Sequence, residues 1–415
     1  MIKKLVTSIC LLFALISFAQ EGTSSPYSFY GIGDVKFKGT VENRSMGGLS
    51  IIGDSIHVNL QNPASFANLK LTSFAIGANT NQTNLSTSSE TVKTKRTTLD
   101  YLAVSFPVGK FGASFGVMPY SYVGYKIQNG DNTTPEINKY SGKGGINKGF
   151  LGIAYKVSPT LSLGANLDYN FGRISTSSSK FNQNVLNGAR ELNTSSASGA
   201  NITFGALYQS KFKGKLQIYS GFTFTPESNL NFKNTRNIAT VQFSSTNADL
   251  IIDQTDVTVA NTTVKLPTKL SLGFGLGNTR KWQVGTEVVF QQNSKLSNRF
   301  NDISNASFEN ATKYIVGGYF IPKYNSFTNY FDRVTYRGGF NFQNTGLIVN
   351  NKSIKDQSVT FGIGLPLGGT FSNINIGFEF GKRGTKLAGL IQENYSNLSI
   401  GLSFSDRWFV KRKFD

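Results

Sequence analysis

Apolar and polar residues alternate strictly over most of the chain beyond about residue 70, which is the period of a half-buried β-strand. Leu161, Leu163, Ala165, Leu167, Tyr169 and Phe171 alternate with Ser162, Gly164, Asn166, Asp168, Asn170 and Gly172. Leu270 to Gly277, Ile374 to Gly381 and Leu398 to Ser405 repeat the pattern. In a soluble sandwich the second face would carry Lys, Glu and Thr. Here it is Gly, Ser and Asn with a few charges. Gly offers nothing to lipid but lets a crowded interior pack. The apolar phase therefore faces lipid and the polar phase a lumen.

About fourteen strands are expected, near 71–85, 95–108, 111–128, 140–157, 161–177, 193–211, 216–232, 262–277, 281–296, 313–321, 332–343, 355–367, 374–387 and 395–409. An even count is what a closed bacterial barrel requires. Tight turns at Gly109-Lys110, Ser158-Pro159-Thr160, Lys213-Gly214-Lys215, Asn278-Thr279-Arg280 and Gly368-Gly369-Thr370 alternate with polar loops at 178–192, 233–261 and 297–312. Short turns belong in the periplasm and long loops outside, which puts both termini in the periplasm. The connection at 322–331 is long for that side. The fold class is thus all-β: a transmembrane antiparallel β-barrel of about 14 strands.

Composition agrees. The 415 residues are 39% hydrophobic and only 16% charged, with 43 Gly, 34 Phe and 17 Tyr. Residues 1–19 read as a signal peptide: Lys3 and Lys4, an apolar run from Val6 to Ala19, and small residues in Ser17-Phe18-Ala19 for cleavage after Ala19. Cys10, the one cysteine, would leave with it. Residues 20–70, rich in Gly with short apolar patches such as Leu49 to Ile52, read as a hatch or plug, and 71–415 as the barrel.

From Met46-Gly47-Gly48 through Asn62-Pro63-Ala64-Ser65 the chain resembles the FadL-like family of outer-membrane hydrophobic-compound transporters. Leu266-Pro267-Thr268-Lys269 with Trp282, and Pro119 in the third strand, extend the resemblance over the whole mature chain. It implies a hatch carrying the motif Asn62, Pro63 and Ala64, and a third strand kinked at Pro119 that opens the wall sideways. Proline lacks the ladder N–H, so Pro119 needs a bulge, a kink or a place at the rim. One departure stands out. The expected outer loops are polar, and only Leu250-Ile251-Ile252 forms a compact apolar patch.

Enzyme chemistry finds little material. His57 is the single histidine, and no paired-carboxylate, Cys-cluster or phosphate-loop spacing occurs. No cofactor, metal or nucleic acid is expected. The polar phase carries Asn166, Asp168, Asn170, Glu287, Arg337 and Glu379, which read as lumen wall. The net charge of +19 suits contact with lipopolysaccharide and outer-membrane lipid. Two functions fit: passage of a hydrophobic or amphipathic small molecule through hatch and third-strand opening, or service as a subunit or shuttle among protein partners of an outer-membrane assembly or secretion machine, type IX-like.

Overall fold

The computed structural model describes residues 21–130, 135–182, 185–242, 250–299, 305–368 and 371–406. The expected signal peptide, Asn247 in the 233–261 region and the tail Trp408 to Lys413 lie outside them.

Fourteen antiparallel staves make the wall. They are β1 (Thr72–Ser86), β2 (Thr91–Val108), β3 (Phe111–Asn129), β4 (Glu136–Lys156), β5 (Leu161–Asn182) and β6 (Asn187–Lys213). Then come β7 (Leu216–Thr225, resuming at Ser228–Gln242), β8 (Leu250–Val257, Thr262–Leu266 and Lys269–Asn278), β9 (Trp282–Gln291) and β10 (Ala306–Phe308, then Ala311–Phe320). The last four are β11 (Thr335–Val349), β12 (Lys352–Pro366), β13 (Asn373–Arg383) and β14 (Gln392–Asp406). The interruption in β7 and the second one in β8 fall at Pro226 and Pro267, where the ladder donor is missing. β14 closes on β1 from Gln392 opposite Ser86 to Asp406 opposite Thr72. Closure pairs the backbone groups that an open edge would strand in lipid.

The alternation sorts as expected. Leu163, Leu167, Tyr169 and Phe171 face outward, while Asn166, Asp168 and Asn170 are buried on the lumen side. Phe115, Leu151, Phe204, Phe274 and Phe378 continue the outer apolar belt.

Two expectations change. The polar stretches 178–192 and 233–261 are mostly strand: β5 runs to Asn182, β6 starts at Asn187, β7 runs to Gln242 and β8 starts at Leu250. With 21, 22 and 27 residues, β4, β5 and β6 are about twice the length a bilayer needs. Above the lipid, pairing on both sides holds Ser, Thr and Asn in strands, and hydropathy has no reason to alternate. Likewise β11 and β12 meet in a two-residue hairpin, Asn350-Asn351, with φ of 47° and 60°, values Asn tolerates in a primed turn. Asp406 lies at the rim of short connections. Ser25 and Tyr27 reach Glu393 and Ile391, at the opposite end of β14.

Residues 21–70 thread the lumen from that far half to the start of β1. They include single turns at Pro26–Phe29 and Pro63–Asn68, a short strand at Asp34–Val35 and one helical turn at Val41–Arg44. Leu49, Ile51 and Phe66 are fully buried against the wall. Lumen glycines make the fit: a Cβ on Gly317 would collide with the Met46 carbonyl, and one on Gly112 with that of Phe66.

Candidate functional site: the lumen and the interval between the second and third strands

Asn62 caps the turn that follows it. Its side chain accepts from the Ala64 N–H at 3.1 Å and donates to the carbonyls of Ala206 and Phe222 at 3.2 and 3.3 Å. Pro63 supplies the fixed φ of a first helical position. It packs with Ala64 against Gly164, and with Asn62 against Gly205, so the motif rests directly on β5 and β6.

The wall is not uniformly laddered. β2 and β3 pair only from Val108 opposite Phe111 to Leu102 opposite Val117. Just beyond, β3 bulges against β4: Pro119 faces Asn147 and Ser121 faces Ile146, leaving Tyr120 as the extra residue. Pro119 is buried in mid-strand, not at the rim. From there β3 follows β4, and Thr91 to Tyr101 of β2 follow β1.

The N-terminal segment occupies the interval. On the β2 side, Arg96 donates to Glu21 at 2.7 Å, and the Ser24 and Thr94 hydroxyls meet at 2.6 Å. On the β3 side, Asp34 and Val35 pair as a strand with Tyr122 and Ser121. The Lys36 N–H donates to Tyr120 O at 3.0 Å, and Ser121 Oγ to Ile32 O at 2.7 Å. Val35 is 48% exposed and borders the lumen cavity.

A charge network anchors it. Asp34 accepts from Lys36 at 2.8 Å and from Arg383 at 2.9 Å, and Arg383 also donates to Asp356 at 2.9 Å. Burial works against ionisation of Asp34, but Lys36 and Arg383 hold its carboxyl well below the usual range. Arg44 pairs with Asp100 at 2.6 Å. His57 sits in the segment with Nδ1 2.5 Å from Asp54 Oδ2.

Asn166, Asp168, Asn170, Glu287, Arg337 and Glu379 are spread over several groups and do not converge. Asp168 meets Lys148 at 3.3 Å and Asn201 at 2.9 Å, and Asn170 donates to Asn201 at 2.6 Å. Glu287 accepts from Ser50 N–H and Oγ at 2.7 and 2.8 Å, and from Ser271. Arg337 donates to Asn375, which in turn donates to Glu42. Glu379 accepts from Ser358 and Asn397, both at 2.9 Å. Glu287 contacts the segment directly, and Arg337 does so through Asn375. Asn166, Asp168 and Glu379 line a cavity of about 350 Å3 at mid-lumen. Lys38, Lys269, Lys313, Arg383, Asp100 and Asp356 share that lining and were missed. Strand phase could have found three of them: Lys269, Lys313 and Arg383 lie opposite the outward residues Leu272, Tyr314 and Phe380.

The BamG family model matches residues 1–415. The chain belongs to the BamG family. No curated protein matches it. Among solved structures, the toluene transporter TodX of Pseudomonas putida is 15% identical, with 91% of this chain and 100% of that one covered at a TM-score of 0.59. The Ralstonia pickettii toluene transporter TbuX is 14% identical over 89% and 99%, at 0.58. A Pseudomonas aeruginosa FadL homologue is 12% identical over 89% and 98%, also at 0.58. This BamG family member therefore has the FadL-like fold.

Proposed function

We propose that this BamG family member is an outer-membrane barrel that passes a hydrophobic or amphipathic small molecule sideways into the bilayer, between β2 and β3. The observation carrying this reading is the interrupted ladder. Above Leu102 and Val117 the two strands share no pairing, and residues 21–24 and 32–36 stand where hydrogen bonds would otherwise close the wall. A segment held by a two-residue ladder and a few side chains opens at lower cost than a full strand pair. The Asn62-Pro63-Ala64 turn is the fixed base of the hatch, and Asp34 to Lys36 its movable edge. TodX and TbuX, described as toluene transporters, lend the chemistry of the cargo.

The test is a staple. Val35 and Ser121 are registered partners, so Val35→Cys with Ser121→Cys can be oxidised across the interval. Oxidation should slow toluene entry into cells carrying the barrel, and reductant should restore it. Equal entry in both states sinks the reading, as does wild-type protein that admits neither toluene nor palmitate faster than cells without it.

A second reading, a subunit or shuttle among outer-membrane protein partners, is favoured by the strand Leu250–Val257. It stands beyond the lipid belt with all eight residues exposed, Leu250, Ile251 and Ile252 among them. Stoichiometric co-purification of another outer-membrane protein, lost on Ile251→Asp, would favour it over transport.

A further inference from the structure

The lateral route makes no use of one charge system in the lumen. Lys38 from the N-terminal segment, Lys148 from β4, Lys269 from β8 and Lys313 from β10 line the same cavity. Lys148 is answered by Asp168. Among the described residues, the other three have no carboxylate within salt-bridge distance. Lys38 Nζ lies 3.9 Å from the centre of the Tyr120 ring, and Lys313 Nζ 5.9 Å from that of Phe37. The acids of the lining hold other partners directly: Asp34 and Asp356 bond Arg383, Asp100 bonds Arg44, Glu393 bonds Ser25 and lies 3.8 Å from Arg383, and Glu379 bonds Ser358 and Asn397. Glu287 acts on Lys269, and Glu379 and Asp356 on Lys313, only at longer range.

An ammonium removed from bulk water without a counter-charge is costly, and it either loses its proton or gains an anion. Burial, with Lys269 and Lys148 nearby, pushes the Lys38 ammonium well below its ordinary range. Three such side chains from three separate elements meet at one space. Its lining also carries Thr225, Thr312, Asn341 and Gln343. The space is about 350 Å3, room for a compact anion and several waters.

We propose that the mid-lumen cavity binds a compact multivalent oxyanion of the phosphate class through Lys38, Lys269 and Lys313. The mostly polar lining suits a hydrated head and not an acyl chain. The cavity borders the edge Asp34 to Lys36 of the proposed lateral route, but binding at the three lysines does not require that edge to open.

The full chain in neutral detergent at low salt, titrated with inorganic phosphate by calorimetry, should show saturable binding that weakens as chloride is raised. Lys38→Gln, Lys269→Gln and Lys313→Gln should each weaken it about tenfold, the loss expected for one charge-assisted hydrogen bond. Lys382→Gln, on the outer face, should not. Dihexanoyl phosphatidic acid is the second probe. If it binds and inorganic phosphate does not, the phosphate comes from a lipid headgroup and the site stands. Absence of saturable binding of either probe to the wild type overturns the proposal. So does binding unchanged in all three lumen variants while their barrels keep heat-modifiable migration on a gel.

Discussion

Arg383 Nη1 donates to Asp34 Oδ1 at 2.9 Å, tying β13 to the N-terminal segment across 349 positions of sequence. Both side chains are largely buried, so the pair is screened little and removal of one partner strands the other. Arg383→Met should destabilise the barrel by about 3–5 kcal/mol in denaturant. In a double-mutant cycle with Asp34→Asn, the coupling should be about 0.5–3 kcal/mol. Hydrogen exchange at Lys36, whose N–H is bonded to Tyr120 O, should quicken in both variants. Additive effects would mean that the network does not hold the segment.

The close docking on lumen glycines gives a steric test. Gly317→Val should drive Met46 off β10 at a cost of about 1–3 kcal/mol and make residues 40–50 sensitive to protease in detergent. Gly368→Ala, with nothing within 4 Å of the added carbon, should match the wild type. Equal protection in both would disprove the packing.

Charge placement separates the two faces. Leu167→Arg, in the middle of the outward belt of β5, faces lipid and should cost about 2–4 kcal/mol, enough to impair assembly seen as lost heat-modifiability. Thr225→Arg points into the cavity and should assemble, losing only its 2.9 Å contact with Thr203. Equal damage from both would reverse the assigned phase.

Orientation is tested by labelling. The chain's one cysteine, Cys10, lies in the expected signal peptide. Asn187→Cys and Asn305→Cys should therefore react with an impermeant maleimide on intact cells. Gly368→Cys should react only after the outer membrane is broken. The opposite result would turn the barrel over.

The Asp54–His57 pair makes stability depend on pH. Burial pushes His57 toward neutrality, but Asp54 outweighs it and raises the imidazole above its usual value. Burial pushes the Asp54 carboxyl up, yet His57 and the Ser55 and Ile56 N–H groups bring it down to about 2. The raised His57 contributes stability fully below its unfolded pKa, and the contribution fades as pH rises through the folded one. The depressed Asp54 contributes above its unfolded pKa, and its contribution fades as pH falls toward about 2. Denaturation midpoints of wild type and His57→Gln should thus differ most near pH 4–6, between the unfolded values of the two groups, and converge as pH rises through the raised His57 value. A constant difference across that range would remove the ion pair from the account.

What could be read from the sequence was what lipid imposes. Leu161 to Phe171 had to alternate because one side meets hydrocarbon and the other a lumen, and the strand boundaries near the short turns followed from Gly109, Pro159 and Gly214. Where lipid ends, so does the signal. The upper parts of β5 to β8 are held by pairing alone, and Ser178 to Asn182 look like loop. The site was half legible. Pro119 was singled out by its missing ladder N–H, Asn62 by the family resemblance, and Asp168 and Glu379 by strand phase. The bond from Ser25 to Glu393, the pairing of Val35 with Ser121 and the clustering of Lys38 with Lys269 join distant positions, and no local pattern records such meetings.

The threading of residues 21–70 constrains the order of assembly. Its first residues bond to β2 and β14, its middle to β9 and β12, and its end leads into β1. The first and last staves made must both be present before the segment has all its partners, yet once they join, the tube is shut around whatever is inside. The chain's earliest residues must therefore wait, loosely held, while the wall is laid down around them, and the seam between β14 and β1 closes over a lining already in place.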